Sequence, residues 1–479
     1  MSIKRGQELE VEIESLAYGG KGVVHVDTLA IFVERALPGQ KMRIRIKKKR
    51  NNYADAYPIE ILQPAPNQIE AKCPHFGVCG GCLLQNLSYE DQLVVKTQQV
   101  RDLIQRVGGF KEIEVKPALP SPEIFHYRNK MEFSFTTRPW MTNPDDPADD
   151  FGLGLHVPGR FDRVLPIETC YLQKPICTDI LNFTTEWAKE NHWQAFEPRH
   201  HTGWARHLVL RYGEHTDEIM VNLVTTTNDR ALIEPFFDAL KEKFPQITVM
   251  VNNTTRSMAE VSVGEAEYAY TEASVIHDRL GDLTYEIAAN AFFQTNTRQA
   301  ERLYAEAMAQ AKLTGNEVVY DLYCGTGTIS LYLAQKAKMV YGVELVEDAV
   351  NNARANAASH GIKNAEFILG DLKDVFHTDE NARQLPNPDV LVVDPPRAGL
   401  HPKLIDDILT FSPQRIVYVS CNPSTLARDL KLLCADDRYE ITSVQPVDMF
   451  PHTAHIETVV GMEKMRSDFI KHSLINVVR

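Results

Sequence analysis

Hydrophobic residues in the second half of the chain alternate between short apolar runs and segments with helical spacing. The runs are rich in Val, Ile and Leu, which is typical of strands that are buried on both faces of a sheet. These predicted strands lie at residues 318–322, 340–344, 365–369, 389–393 and 414–419, with helices predicted from Thr328 and over 346–360. The alternation of strands and helices predicts a doubly wound α/β fold with a parallel sheet.

Residues 7–62 have another pattern, in which short apolar runs are separated by turns that contain glycine. Regularly spaced short strands of this kind predict a small β-barrel. Basic and apolar residues alternate strictly over 41–47. The period of two predicts that Met42, Ile44 and Ile46 face the core while the cations share one outer face.

The basic run continues through residues 48–50. Three tyrosines of the same module are candidate stacking surfaces for bases: Tyr18, Tyr53 and Tyr57. A basic face with aromatic residues suits a phosphate backbone and unstacked bases, so we interpret it as an RNA-binding surface. The alternative is a solvated charged edge that prevents aggregation between sheets.

The middle of the chain combines one strongly periodic helix with a series of strands. Helical spacing runs from Tyr89 to Val107 and stops at Gly108 and Gly109. Residues 125–290 are expected to form an antiparallel α+β domain. The chain is accordingly divided into three predicted domains, with bounds 1–62, 63–290 and 291–479.

Composition narrows the class of protein. The formal net charge of the 479 residues is −13, although residues 1–62 hold 11 Lys and Arg against 8 Asp and Glu. No apolar run is long enough to span a bilayer, and the first residues lack the apolar core of a signal peptide. We therefore expect a cytoplasmic protein with no membrane partner. Its eight cysteines should then stay reduced, which favours metal binding or catalysis over disulfides.

Three cysteines lie within ten residues, at Cys73, Cys79 and Cys82. Cys170 is the best placed candidate for a fourth ligand. Four thiolates suit tetrahedral zinc or an iron–sulfur cluster. Only one C-x₂-C pair is present, so the pattern favours a [4Fe–4S] cluster over a zinc ribbon, and free structural cysteines are the remaining alternative.

The loop after the strand at 318–322 contains Gly325 and Gly327, which let the backbone approach a ligand closely. Glu344 follows 19 residues after Gly325, where an acid can accept both hydroxyls of a ribose. Ser330 replaces the third glycine of a dinucleotide fingerprint, so a single nucleoside is favoured over NAD. Asp321 would attract a positively charged ligand. S-adenosylmethionine carries both an amine and a sulfonium.

Polar residues with reactive side chains follow the last predicted strands. Cys421 lies where a strand meets Pro423, and ligands bind at the carboxyl ends of such strands. The thiol is a candidate nucleophile, or else a small buried hydrophobe. Asp394 can accept a hydrogen bond from an imide N–H, and Arg397 can offset negative charge. Glu457 enters an apolar strand, which predicts a raised pKa and a proton acceptor; the alternative is a buried, paired acid.

Six motifs together resemble the RNA uracil-C5 methyltransferase family, in particular its bacterial ribosomal-RNA branch with an N-terminal, OB-like TRAM barrel. They are Cys73-x₅-Cys79-x₂-Cys82, Phe292-Phe293-Gln294-x-Asn296, Asp321-Leu-Tyr-Cys-Gly-Thr-Gly327, Asp394-Pro-Pro-Arg-Ala-Gly399, Ser420-Cys421-Asn422-Pro423 and His455-Ile-Glu457. The resemblance covers nearly the whole chain and implies a Rossmann-like domain that uses S-adenosylmethionine.

The resemblance also implies roles for individual residues. Cys421 would be the nucleophile and Glu457 the base that removes the C5 proton. The cofactor and uridine pocket would be lined by Gln294, Tyr323, Glu344 and Asp394. The ligands of a [4Fe–4S] cluster would be Cys73, Cys79, Cys82 and Cys170. Helix 89–108 would dock on the catalytic domain, and Phe292 would pack near the target base. Thr328 replaces a family asparagine, so the resemblance leaves that side-chain contact open.

The expected activity is methylation of uracil C5 in 23S ribosomal RNA, on a uridine flipped out of its stack. The N-terminal barrel favours ribosomal RNA, because tRNA-modifying relatives generally lack this module. A tRNA uridine methyltransferase is the alternative enzyme, and a non-catalytic RNA-binding factor is the alternative from another class. No obligate protein partner is expected.

Overall fold

The computed structural model describes residues 3–142, 150–259 and 261–465, so the third predicted domain extends beyond the described residues. Its strands form one six-stranded sheet, two seven-stranded sheets and a two-stranded hairpin. Within these described ranges, no helix combines the length and the apolar character needed to cross a bilayer.

The N-terminal sheet has the strand order β1-β5-β6-β4-β3-β2. Its strands are β1 Glu8–Glu12, β2 Ser15–Leu16, β3 Gly22–Val26, β4 Leu29–Val33, β5 Lys41–Lys49 and β6 Tyr53–Gln63. Three register shifts interrupt the pairing of β5 with β6, which is how a short sheet bends around its own core. Met42, Ile44 and Ile46 are buried in that core, as the alternation predicts.

The cations of β5 are neutralised by acids of neighbouring strands. Arg43 forms ion pairs with Glu10 and Glu60, and Arg45 pairs with Glu8, all with partly exposed side chains. Strand β1 pairs with β5 in a register that places each glutamate opposite a cation. The face that we predicted to be basic is therefore electrically mixed. From Lys41 to Lys47, strand β5 therefore matches the alternative of a solvated charged edge.

One helix, α1 Tyr89–Arg106, follows the N-terminal sheet and is capped by Ser88, whose hydroxyl accepts a hydrogen bond from the Asp91 amide. Lys96 of this helix donates to Asp448 at 2.6 Å, and neither side chain is exposed to solvent. Gln92 also donates to two backbone carbonyls and contacts the His452 ring. Helix α1 thus packs through buried polar contacts against residues 448–452, a loop in the C-terminal part of the chain.

The central sheet has the order β13-β12-β11-β10-β7-β8-β9. Its elements are β7 Lys130–Thr136, β8 Gly152–His156, β9 Val164–Pro166, α2 Pro175–Glu190, β10 Ala205–Tyr212, β11 Ile219–Thr225, α3 Arg230–Lys243, β12 Ile247–Thr254 and β13 Ala266–Ala269. We predicted an antiparallel sheet, and this prediction is wrong for one pair of strands, since β11 and β12 run parallel. Helix α3 lies between these two strands in sequence and provides the crossover that parallel strands require.

A hairpin, β14 Val275–Leu280 with β15 Leu283–Ala288, leads into the C-terminal part. The elements that follow are α4 Thr297–Ala311, β16 Val318–Leu322, α5 Thr328–Ala334, β17 Met339–Glu344, α6 Glu347–Ser359, β18 Ala365–Leu369, α7 Val375–Thr378, α8 Glu380–Arg383, β19 Val390–Val393, α9 Pro402–Phe411, β20 Arg415–Ser420, α10 Pro423–Leu433, β21 Tyr439–Val447 and β22 Glu457–Lys464.

The C-terminal sheet has the order β18-β17-β16-β19-β20-β22-β21. The first five strands are parallel, and β22 and β21 are antiparallel additions. The predicted doubly wound fold is confirmed. Chain order runs outward from β16 to β18 on one side and from β19 to β20 on the other. The crevice between β16 and β19 is therefore the switch point where ligands bind in such sheets.

Candidate active site

Cys421 follows β20 directly and precedes α10, and its side chain is half-buried. The turn is tight because Asn422 caps the helix by accepting a hydrogen bond from the Ser424 amide, and Pro423 supplies the first helical residue. The thiol is thus placed at the carboxyl edge of the sheet by local sequence.

The loop that follows β19 lies against this turn. Asn422 donates through its side-chain amide to the Arg397 carbonyl at 2.9 Å, and the Thr425 hydroxyl donates to the same carbonyl. Asp394 is the first residue of this loop, and burial raises its pKa to about 7. The hydrogen bonds hold an acid, a cation and the Cys421 thiol in neighbouring loops.

Glu457 is the first residue of β22, the antiparallel strand beside β20. Because Ser420 pairs with Thr458, the residues Cys421 and Glu457 lie next to each other at the end of the ladder. Burial and the nearby Asp394 raise the pKa of Glu457 well above its ordinary value, as its apolar surroundings predict.

The pKa of Cys421 is raised to about 11, first by burial and then by the charges of Glu457 and Asp394, while Arg397 acts in the opposite direction. The thiol is therefore protonated in the resting protein at neutral pH. Arg397 is the group here that favours the thiolate. The arrangement has the parts needed for covalent catalysis followed by proton removal.

The glycine loop joins β16 to α5. Tyr323, Gly325 and Gly327 all have positive φ angles, and a Cβ atom on Gly327 would lie 2.9 Å from both Ala353 and Phe367. Only glycine fits at position 327. The turn therefore brings the backbone close to the crevice, as expected for a loop that approaches a ligand.

Glu344 ends β17 beside this loop, and its carboxylate accepts hydrogen bonds from three backbone amides. The donors are Gly325 at 3.1 Å, Leu345 at 2.8 Å and Val346 at 3.0 Å. Asp321 behaves differently from our expectation. It is completely buried and accepts a hydrogen bond from the Ser330 hydroxyl. Asp321 therefore supports the loop from behind instead of facing a charged ligand.

One cavity of about 1720 Å³ lies along this edge of the sheet. It is lined by all six residues assigned to catalysis and cofactor binding: Cys421, Glu457, Gln294, Tyr323, Glu344 and Asp394. Phe292, also on its wall, is 67% exposed. Our sequence reasoning missed Asp371, which lines the cavity too. Asp371 lies two residues after the end of β18, and Glu344 lies at the end of the neighbouring strand β17. An acid at the carboxyl end of a predicted strand was the signal that could have identified Asp371.

The four predicted metal ligands line a second cavity of about 890 Å³. The described residues contain no group of three or more His, Cys, Asp or Glu side chains that could hold a metal ion. The predicted [4Fe–4S] cluster is therefore wrong for this structure. Lining one cavity is a weaker condition than forming a metal site, in which every sulfur must lie about 2.3 Å from a metal ion. The Cys79 and Cys82 sulfurs instead accept hydrogen bonds from the Gly81 amide and the Gln85 side chain.

A doubly wound sheet with a glycine loop and a following acid at its switch point defines a nucleotide-binding α/β protein. A family model described as tRNA (Uracil-5-)-methyltransferase matches residues 215–465, and a TRAM domain model matches residues 3–59. The chain therefore belongs to the tRNA (uracil-5-)-methyltransferase family, with an N-terminal TRAM domain. The family resemblance carried by the six motifs is confirmed.

Full-length relatives support this assignment. An uncharacterized RNA methyltransferase of Chlorobaculum tepidum is 43% identical over 89% of this chain and 90% of the relative. An uncharacterized RNA methyltransferase of Porphyromonas gingivalis is 40% identical over 94% of this chain and 98% of the relative. A solved structure, the Pyrococcus abyssi tRNA (uracil-54, C5)-methyltransferase in complex with S-adenosyl-L-homocysteine, has a TM-score of 0.73 at 30% identity. The match covers 95% of this chain and 100% of the solved chain.

Proposed function

We propose that this protein methylates C5 of a uracil base in RNA, with S-adenosylmethionine as methyl donor. The observation that carries the proposal is that one cavity collects Cys421, Glu457 and the glycine loop. A nucleophile, a proton acceptor and a nucleoside-binding loop are the three parts that this reaction needs.

Gln294, Tyr323, Glu344 and Asp394 are the proposed cofactor-binding residues on the cavity wall. Glu344 is fixed by its three backbone amides beside the glycine loop, which suits an acceptor for ribose hydroxyls. Bound S-adenosylmethionine supplies an electrophilic methyl group on a sulfonium. The solved relative from Pyrococcus abyssi holds the demethylated product of such a transfer, which supports this donor.

Cys421 begins the proposed reaction because uracil C5 is a weak nucleophile. The thiolate forms a bond to C6, and the π electrons of the C5–C6 double bond move into an enolate over C5, C4 and O4. C5 can then form a bond to the methyl carbon as the bond from that carbon to the donor sulfur breaks, and the electrons of the broken bond stay on sulfur. Asp394 accepts the imide N–H, and Arg397 stabilises the thiolate or the enolate oxygen. The Cys421 proton must leave before addition, because the resting thiol has a pKa of about 11.

Glu457 ends the proposed cycle. It takes the proton from C5, the electrons reform the C5–C6 double bond, and the bond from C6 to the Cys421 sulfur breaks. Burial makes Glu457 a stronger proton acceptor than a solvated glutamate, because it raises the pKa of the carboxyl. The enzyme then returns to its starting covalent state.

We propose 23S ribosomal RNA as the substrate, on the basis of the N-terminal TRAM domain. A tRNA is the second candidate, and one observation favours it. The solved tRNA enzyme covers 95% of this chain, so the uncovered part is shorter than the N-terminal sheet. At least part of that sheet therefore has a counterpart in a tRNA-modifying enzyme, which weakens the sheet as a mark of ribosomal RNA.

A direct assay tests both levels of the proposal. The protein is incubated separately with unmodified 23S ribosomal RNA and with total tRNA transcripts, with methyl-labelled S-adenosylmethionine, and the nucleosides are separated. We expect labelled 5-methyluridine from the ribosomal RNA. Label found only in tRNA would reject the ribosomal substrate. Absence of label from both RNAs would reject the activity and favour a non-catalytic RNA-binding factor.

A further inference from the structure

The turn between β2 and β3 of the N-terminal sheet reaches the candidate nucleophile. We propose that Tyr18, in this turn, is a positioning residue for Cys421, so that the TRAM domain completes the active site as well as contacting RNA. The proposal rests on the proposed function, since it assumes that Cys421 is the nucleophile.

The Tyr18 hydroxyl donates a hydrogen bond to the backbone carbonyl of Cys421 at 3.0 Å, across 403 positions of sequence. The last pair of the β20–β22 ladder is Ser420 with Thr458, so the Cys421 carbonyl lies one residue beyond the sheet. Within the turn, the backbone amide of Asn422 donates a hydrogen bond to the Ser420 hydroxyl, and this hydroxyl donates to the Asn422 carbonyl. Tyr18 therefore restrains the one peptide carbonyl that belongs to the nucleophile itself.

The turn that carries Tyr18 is seated firmly on the rest of the molecule. Gln99 of α1 donates to the carbonyls of Leu16 and Ala17, at 3.2 and 3.0 Å. A Cβ atom on Gly20 would lie 3.1 Å from Leu83 and 3.3 Å from Ala454, so this side of the turn is closely packed. The phenol thus acts from a rigid support, which is what a positioning group requires.

Charge also favours Tyr18 as a donor. Burial raises the pKa of Tyr18, and the neighbouring Cys421 and Glu457 raise it further against the opposing effect of Arg397. The phenol consequently keeps its proton in the presence of a thiolate. Tyr18 is not among the residues that line the cavity, so it acts through Cys421 without touching the base.

The physical consequence concerns the direction of the thiol. A fixed carbonyl orients the Cys421 peptide and therefore the path from its Cα atom to its sulfur. Covalent addition to C6 depends on this direction, because small misplacements of a reacting atom lower the rate steeply. Proton removal by Glu457 comes later and does not depend on Tyr18.

The test compares Tyr18→Phe with Tyr439→Phe, each made in the full chain and again with Glu457→Gln. Tyr439 is a matched control because its hydroxyl also donates to a backbone carbonyl, that of Pro413 at 2.9 Å, and because it is not among the residues that line the cavity. The RNA is whichever one accepts label in the assay above. Formation of the covalent RNA–protein adduct is followed under single-turnover conditions with saturating RNA.

We expect Tyr18→Phe to slow adduct formation about tenfold, which corresponds to the loss of one positioned hydrogen bond. The dissociation constant for RNA and the unfolding temperature should match those of Tyr439→Phe. Alkylation of Cys421 by iodoacetamide, a small reagent that needs no fixed approach, should also be unchanged.

An adduct rate equal to that of Tyr439→Phe would overturn the proposal. So would a loss confined to RNA affinity or to the unfolding temperature, since either result would make Tyr18 an anchor of the N-terminal sheet. A failure of the proposed function is distinguishable, because Glu457→Gln alone would then form no adduct whatever residue occupies position 18.

Discussion

The outer face of the N-terminal sheet and the carboxyl edge of the C-terminal sheet use the same charged residue types in opposite environments. On β5, Arg43 and Arg45 are partly exposed and paired with glutamates of neighbouring strands. At the other edge, burial raises the pKa of Asp394 and of Glu457. Exposed pairs stabilise little and affect solubility, whereas buried groups change their proton affinity and acquire chemical uses.

The largest expected effect comes from the thiol. Cys421→Ala should reduce methyl transfer by at least about 10⁴-fold, because Cys324, the other thiol that lines the cavity, is buried and its pKa is raised far above its usual value. The measurement is incorporation of labelled methyl groups into RNA. Cys434→Ala is the matched control, since Cys434 terminates the same helix α10. Equal activity of the two variants would remove Cys421 from the mechanism.

Glu457→Gln should lower turnover by about 10²–10⁴-fold while leaving the addition step intact, because it removes only the proton acceptor. A covalent RNA adduct should then accumulate and survive denaturation in gel electrophoresis. Glu463→Gln, in the same strand β22, is the control and should turn over normally. Loss of turnover without any adduct would show that Glu457 acts before the methyl transfer.

The buried pair between α1 and the C-terminal sheet should matter more than any pair on β5. Lys96→Ala leaves Asp448 buried without its partner, so we expect a loss of about 3–5 kcal/mol in the free energy of unfolding. Urea unfolding measures this change. Replacing both residues, as Lys96→Met with Asp448→Asn, should restore much of the loss, since no charge is left unpaired. A loss as large in the double variant would point to packing.

The pH dependence of the thiol follows from its surroundings. Because the pKa of Cys421 is raised to about 11, its alkylation by iodoacetamide should rise about tenfold per pH unit between pH 7 and 9. Arg397 lowers this pKa, so Arg397→Gln should raise it and slow alkylation at pH 8 about three- to tenfold. Peptide mass spectrometry separates Cys421 from the other cysteines. Lys431→Gln removes a charge from the exposed side of α10 and should change nothing.

The smallest effect is expected on β5. Arg43→Gln should change the free energy of unfolding by about 0.5 kcal/mol or less, because both of its glutamate partners are exposed to solvent. Urea unfolding beside Lys96→Ala makes the comparison direct. A change as large as that of Lys96→Ala would mean that burial does not separate the two regions.

Much of the fold was predictable because its signals are local. Runs of Val, Ile and Leu marked the parallel strands, and the alternation over residues 41–47 placed Met42, Ile44 and Ile46 in a core. Residues that follow such strands lie at one edge by geometry, so Cys421 and Asp394 were expected at the same crevice. The glycine loop could also be predicted from local sequence. Position 327 requires glycine because its φ angle is positive and neighbouring side chains leave no room for a Cβ atom.

Other features were decided by contacts between distant parts of the chain. The cations of β5 are balanced by glutamates because β1 pairs with β5. Strands β11 and β12 are parallel because helix α3 provides the crossover between them. The spacing of Cys73, Cys79 and Cys82 suggested a cluster, but it did not determine where four sulfurs would point in space.

By itself the sequence determined which segments become strands and helices and which reactive residues end them, because hydrophobic periodicity and turn chemistry act within a few residues. Only the tertiary structure decided which of those residues meet. Tyr18 stands among the residues of an N-terminal module, yet its hydroxyl lies 3.0 Å from the carbonyl of Cys421. No local pattern encodes that contact, since it depends on how α1 and the C-terminal sheet together seat the turn.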